Sequence, residues 1–122
     1  MADATTTVAA LRDAMRRFVS ERDWDQFHSP KNLVMGLAVE TAELMEHFLW
    51  MDNAGSRGHV HEPGQRQAIA EEVADVACYL LALANGMELD LSAAILDKLE
   101  KNARKYPVES FRGKYRLEPE AK

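Results

Sequence analysis

The chain has 122 residues, 47% of them hydrophobic and 29% charged, a composition that suits one globular domain with its own core and speaks against disorder. The formal net charge of −5 speaks against holding a nucleic-acid polymer by its backbone, which takes clustered Lys and Arg, but leaves room for a single nucleotide. No charge-free apolar run is long enough to span a membrane, and the polar, acidic start from Met1 to Thr7 lacks signal-peptide character, so a cytoplasmic protein with no membrane partner is expected.

Four helices are predicted. The first covers about Val8 to Arg22, with Thr6 or Thr7 as N-cap and with Val8, Leu11, Met15, Phe18 and Val19 at helical spacing. A connector from Asp23 to Ser29 carries Trp24, Phe27 and His28. Ser29 then caps a second helix that has Pro30 in its first position and runs to about Met51. Asp52 to Gly64 reads as a loop, crowded by Gly55, Ser56, Gly58, Pro63 and Gly64. The third helix spans about Gln65 to Asn85 and ends on Gly86. Asp90 or Ser92 caps a fourth, which reaches about Lys105 before Pro107 stops it. Residues 108–122 form a polar, partly irregular tail of what reads as a single domain over 1–122. No internal repeat and no strand-like alternation is present. Cys78, the single cysteine, has no disulfide partner in the chain and reads as a small core residue.

The second and third helices are apolar on more than one face. Val34, Leu37, Met45 and Leu49 point away from Leu33, Leu44 and Phe48, whereas an amphipathic surface helix shows one stripe. One short chain cannot easily bury two such helices. The expected fold is therefore all-α, a four-helix bundle completed by association with further copies.

Four acids interrupt these apolar runs. Glu40 and Glu43 lie in the second helix, Glu72 and Asp75 in the third, each pair at i, i+3 and so on one helix face. Ionised carboxylates are costly to bury without a partner, and two facing pairs repel unless a cation lies between them. No Lys or Arg occurs between Leu33 and Met51 to form ion pairs. An all-oxygen ligand set points to a hard divalent ion, Mg²⁺ or Mn²⁺. The competing reading is a solvated or ion-paired helix face. Glu-x-x-His pairs of the di-iron type are absent, His59-Val60-His61 has no cysteine partners for zinc, and no Gly-x-x-x-x-Gly-Lys phosphate loop occurs.

Two further layers surround the acids in the sequence. Lys98, Asn102 and Lys105 share a face of the fourth helix at i, i+4, i+7, among Lys101, Arg104 and Tyr106. This is either a phosphate clamp or the usual complement of basic residues to a helix C-terminus. Trp24 and Trp50, each beside aspartates, stand near a rim where they can stack on a base, and Tyr79 continues the Glu72–Asp75 stripe. His28 reads first as a loop or capping residue.

Glu40-x-x-Glu43, followed 29 positions later by Glu72-x-x-Asp75, resembles the signature of the all-α nucleoside triphosphate pyrophosphohydrolases, the MazG-like superfamily. The segment from Glu21 to Leu33, together with Glu71-Glu72-Val73-Ala74-Asp75-Val76 and Lys105-Tyr106-Pro107, is similar to the dCTP-pyrophosphatase branch in the same order. The resemblance implies an all-helical protomer in a homo-oligomer, commonly a tetramer. It implies Mg²⁺ on Glu40, Glu43, Glu72 and Asp75, which are also the catalytic set. It further implies substrate contacts through Trp24, His28, Trp50, Tyr79, Lys98, Asn102, Lys105 and Tyr106. The implied reaction is hydrolysis of a deoxynucleoside triphosphate, dCTP or a modified dCTP, to the monophosphate and pyrophosphate. One departure bears on the base: Met15 stands where related dCTP enzymes can carry a histidine. A pyrophosphatase of broad or dUTP-like specificity and a non-catalytic, cation-binding helical oligomer are the alternatives.

Overall fold

A computed structural model describes residues 1–116; residues 117–122 of the expected polar tail lie outside the described residues. The described residues form six α-helices: α1 (Val8–Glu21), α2 (Pro30–Glu46), α3 (Asn53–His59), α4 (Pro63–Met87), α5 (Leu91–Lys105) and α6 (Val108–Phe111). Two 3₁₀ turns, Ala2–Ala4 and Asp25–Phe27, accompany them, and no strand occurs among the described residues.

Side-chain caps set four of the starts. Thr7, Ser29, Asp52 and Asp90 accept from the backbone N–H groups of Ala10, Asn32, Gly55 and Ala93, at 3.1, 3.2, 2.7 and 2.9 Å. Each satisfies one amide that the helix cannot reach internally. At α2 the Ser29 cap is joined by Pro30, whose missing N–H costs nothing in the first turn.

The structure departs from the expected elements in the middle of the chain. The second helix ends at Glu46 rather than near Met51, in turns through 47–50 that finish with Trp50 in the left-handed region at φ 65°. The segment expected to be a loop contains α3 despite Gly55 and Gly58. The Asp52 cap starts this helix, and an edge-on contact of His59 with Phe48, 6.0 Å between ring centres, anchors it. Local glycine content is outweighed there by a cap and a tertiary contact. The next helix, α4, starts at Pro63 and passes through Gly86 to Met87. Its end is a Schellman turn, with Leu89 N–H on the Ala84 carbonyl, Glu88 N–H on Asn85, and Glu88 instead of glycine in the left-handed position at φ 54°. Pro107 does end α5, but it also caps α6, so part of the tail is ordered: Phe111 meets the Tyr106 ring edge-on at 5.1 Å.

The chain divides into two compact units, one over Met1–Leu89 and one beginning at Asp90. In the first, α4 packs against α2 and α1. The buried apolar residues are Val19 on α1, Leu33 on α2, and Ile69, Ala82 and Ala84 on α4. Against this small core, large apolar side chains on α2 stay exposed: Val34 50%, Met35 60%, Val39 57% and Met45 60%. Among the described residues no single helix is long and apolar enough to cross a membrane.

Arg12 ties α1 to the end of α4. Its guanidinium donates to Asn85 Oδ1 at 2.9 Å, to the Ala84 carbonyl at 3.2 Å and to the Leu89 carbonyl, while Asn85 Nδ2 donates back to the Arg12 carbonyl at 3.1 Å. The fork thus occupies carbonyls at the Schellman turn, which α4 itself leaves with spare acceptor capacity. Replacing Arg12 by Ala should lower unfolding stability by roughly 2–3 kcal/mol, as for a half-buried charged hydrogen-bond hub. Arg12→Lys, whose single ammonium nitrogen cannot present the guanidinium's planar fork to three acceptors, should recover little. Urea unfolding followed by circular dichroism checks this, and an unchanged midpoint in Arg12→Ala would remove the lock.

Candidate functional site

The contacts between α2 and α4 fall in one antiparallel register. Gly36 lies against Tyr79, Glu40 is close enough to Asp75 and Glu72 to feel their charge or bond to them, and Glu43 meets Glu72. Each helix thus turns its i, i+3 acid pair into the same seam, with the Gly36–Tyr79 contact one turn away. One carboxylate oxygen from each of Glu40, Glu43 and Glu72 lies within 4.8 Å of the others. Glu40 and Glu72 are half-buried and Glu43 is exposed. Asp75 is not one of these three, but it borders the same group from the cavity side.

The electrostatics of this cluster are unfavourable as it stands. Glu40 Oε2 and Glu72 Oε2 are shielded from solvent and have no hydrogen-bond partner. Ionised carboxylates only accept, so they cannot satisfy one another. The Glu40 carboxyl is pushed up from its ordinary 4.5 to about 7. Desolvation by burial is the largest cause. Hydrogen bonding to Glu43 and Glu72, open only to the protonated form, and the charges of Glu43 and Asp75 act in the same direction. The donor set is all carboxylate oxygen, which suits a hard divalent cation. Two buried carboxylate oxygens without partners in such a set fit a site for a divalent cation.

A cavity of about 580 Å³ opens beside the acids. Glu40 and Asp75 form its polar end, and Leu11, Met15, Phe18 and Leu81 its apolar wall. Of the residues singled out in the sequence, Trp24, His28 and Tyr79 all line it. Trp24 is held by its backbone N–H on the Val19 carbonyl at 3.0 Å and by an edge-on contact with Phe18 at 5.7 Å. Phe18 in turn lies under the Arg22 guanidinium at 3.8 Å. Cys78, expected in the core, is instead exposed in the cavity wall, because position 78 falls on the cavity side of α4. Desolvation and the nearby Asp75 charge raise its thiol pKa above the ordinary value.

The remaining expected site residues are not among those lining this cavity. Trp50 does not line this cavity; its side chain is fully exposed at the α2–α3 turn. Lys98 and Asn102 border a separate groove of about 280 Å³ with Ile95 and Leu99, along one face of α5 in the second unit. Lys105 and Tyr106 close α5, with the Lys105 Nζ 5.3 Å from the centre of the Tyr106 ring. Gly36 and Phe18 were not singled out as site residues from the sequence. The available signal for Gly36 was a residue without a side chain one turn before Glu40, on the helix facing Tyr79.

The raised Glu40 pKa has a stability consequence. Folded Glu40 holds its proton up to about pH 7, whereas the unfolded side chain releases it near its ordinary value of 4.5. The contribution is therefore fully present below about pH 4.5 and is lost as pH rises through about 7. Metal-free protein should unfold at lower denaturant at pH 8 than at pH 5.5. Glu40→Gln should flatten that difference. Mg²⁺ at pH 8 should raise the wild-type midpoint and do little for Glu40→Gln. A wild-type midpoint indifferent to Mg²⁺ and Mn²⁺ would rule out a cation at this seam.

Residues 36–115 match the model of the MazG-like family. The chain is 40% identical over 107 residues to dCTP pyrophosphatase 1 of Rattus norvegicus, covering 88% of this chain and 63% of that protein. It is 39% identical over 110 residues to dCTP pyrophosphatase 1 of Homo sapiens, covering 90% and 65%. The chain therefore spans a little under two thirds of the length of these relatives. The crystal structure of a pyrophosphatase from Archaeoglobus fulgidus superposes with a TM-score of 0.73 at 39% identity, over 80% of this chain and 89% of that one.

Proposed function

This chain belongs to the MazG-like family, and from that premise we propose that it hydrolyses a deoxynucleoside triphosphate, dCTP or a modified dCTP, to the monophosphate and pyrophosphate. The observation that carries the reading is the pair of buried, partnerless oxygens on Glu40 and Glu72, set in an acidic cluster at the mouth of an aromatic-walled cavity. Acids that need a cation beside a cavity that suits a planar ring match the two ends of a metal–nucleotide complex. The names of the relatives support the substrate class.

In this reading Glu40, Glu43, Glu72 and Asp75 hold Mg²⁺, with Mn²⁺ as substitute. Bound there, the ion supplies charge neutralisation for the triphosphate and polarisation of the α-phosphorus. Glu40, which lines the cavity, or Glu43 one turn on along α2 orients the attacking water and accepts its proton. Water adds to the α-phosphorus, the α–β anhydride bond breaks, and the bridging oxygen leaves with pyrophosphate. Trp24 and Tyr79 flank the base and His28 contacts its edge; phosphate contacts by Lys98, Asn102, Lys105 and Tyr106 and stacking by Trp50 rest on the family resemblance alone. The residues 1–122 act as one domain, in the cytoplasm, on the nucleotide pool.

The exposed apolar face of α2 supports a homo-oligomer, a tetramer in this reading, because one copy leaves Met35, Val39 and Met45 largely in water. Analytical ultracentrifugation should give the mass of four chains at micromolar concentration. Val39→Glu should shift the population to smaller species, and a monomer at all concentrations would overturn the assembly.

The reaction is tested by a Mg²⁺-dependent panel of dNTPs, NTPs and 5-substituted dCTPs with products resolved. Pyrophosphate release with one base preferred is expected. Asp75→Asn and Glu43→Gln should each lower kcat by at least ~100-fold, as for loss of a metal ligand, with helix content unchanged. An Asp75→Asn protein of undiminished rate would sink the ligand assignment. Addition of the preferred dNTP should quench tryptophan fluorescence only with Mg²⁺, and Trp24→Phe should lose that quench. No hydrolysis and no quench would leave a cation-binding helical scaffold.

A further inference from the structure

Gly36 sits inside α2, where its backbone has ordinary helical dihedrals: the positive-φ glycine among the described residues is Gly113. An interior glycine weakens a helix relative to alanine, so nothing in the local backbone favours it here. The space around it does. A Cβ built on Gly36 would collide with Tyr79 Cε1 and lie 2.6 Å from Cζ and 3.0 Å from the phenol oxygen. The Tyr79 ring therefore rests in a notch in α2 that exists only because residue 36 has no side chain. The same ring lines the cavity with Trp24, Glu40 and Asp75.

We infer that Gly36 is a specificity-determining residue: by letting the Tyr79 ring recede into α2, it widens the cavity and admits nucleobases bulkier than an unsubstituted pyrimidine. This rests on the nucleotide reading of the cavity. A methyl group at residue 36 needs ordinary contact distances, about 3.5–4.0 Å, so the ring must shift by roughly 1 Å. One side of the ring is α2 backbone and the other is the open cavity of about 580 Å³, so the ring moves into the cavity. The space lost is the space a base substituent would use. A gap of one methylene in a binding pocket is worth about tenfold or more in discrimination.

The test is Gly36→Ala, which should fold because alanine favours the helix. The chain's three tyrosines allow ring-labelled NMR. The Tyr79 signals should move in Gly36→Ala while those of Tyr106 and Tyr115 stay. Steady-state kinetics run over triphosphates of rising base bulk, from dUTP and dCTP through 5-substituted pyrimidines to dATP. The variant should lose about tenfold more kcat/KM for the bulkiest accepted base than for dUTP, mainly through KM. The differential should vanish when Gly36→Ala is combined with Tyr79→Ala, which removes the ring that transmits it. Equal loss for every base would mean that α2 and α4 had moved apart instead, and it would overturn the inference, as would an unmoved Tyr79 signal. A wild-type chain inert to every triphosphate would remove the nucleotide reading and the specificity with it, while the NMR shifts alone would still decide whether Gly36 seats the ring.

Discussion

Carboxylates crowded into an apolar helix seam with no basic residue among them are the constraint on which this molecule is organised. No Lys or Arg occurs between Leu33 and Met51, and the partners that face Glu40 across the seam, Glu72 and Asp75, are acids as well. Hydrophobic packing of α4 against α2 and α1 holds the charges where their mutual repulsion would otherwise separate them. The cost appears as a half-buried glutamate whose carboxyl titrates near neutrality and as two oxygens without partners. A fold that keeps such a feature concentrates electrostatic free energy at one place.

The same register that gathers the acids also shapes the cavity beside them. Because α2 and α4 run antiparallel with matched helical spacing, the turn next to the acid pairs brings Gly36 against Tyr79. The aromatic wall and the charged end are therefore two consequences of one packing arrangement. Trp24 completes the wall from a different element, fixed by a backbone bond to Val19 and by the Phe18 ring at the end of α1. The Arg12–Asn85 lock holds α1 on α4 at its other end, and with it the Leu11–Met15–Phe18 face that lines the cavity.

The buried core of the described residues is small, and its members on α4 include the alanines Ala82 and Ala84. Small side chains there let helices approach closely but remove little apolar surface from water. Large apolar residues on α2, among them Met35 and Met45, remain exposed beside this core. Within the described residues, Val19, Leu33 and Ile69 supply the larger buried side chains and the alanines the close approach of the helices.

Within single helices, much of this was legible from sequence. The Ser29 cap, the all-helical class and the shared face of each acid pair follow from interactions within one or two turns, while the choice of Thr7 over Thr6 and of Asp90 over Ser92 came from the structure. Even there, short-range signals misled where a longer-range one opposed them: glycines argued for a loop at 53–59 until the Asp52 cap and the Phe48–His59 contact outweighed them. Facts that join residues far apart in the chain needed the tertiary structure. The meeting of Glu43 with Glu72, the notch of Gly36 under Tyr79, the exposure of Cys78 and the solvent-facing Trp50 depend on the register and rotation of packed helices. Sequence by itself determined which residues share a helix face, because helical periodicity is local. Only the tertiary structure decided which face meets which, because that is set by packing summed over the whole seam rather than by any single residue.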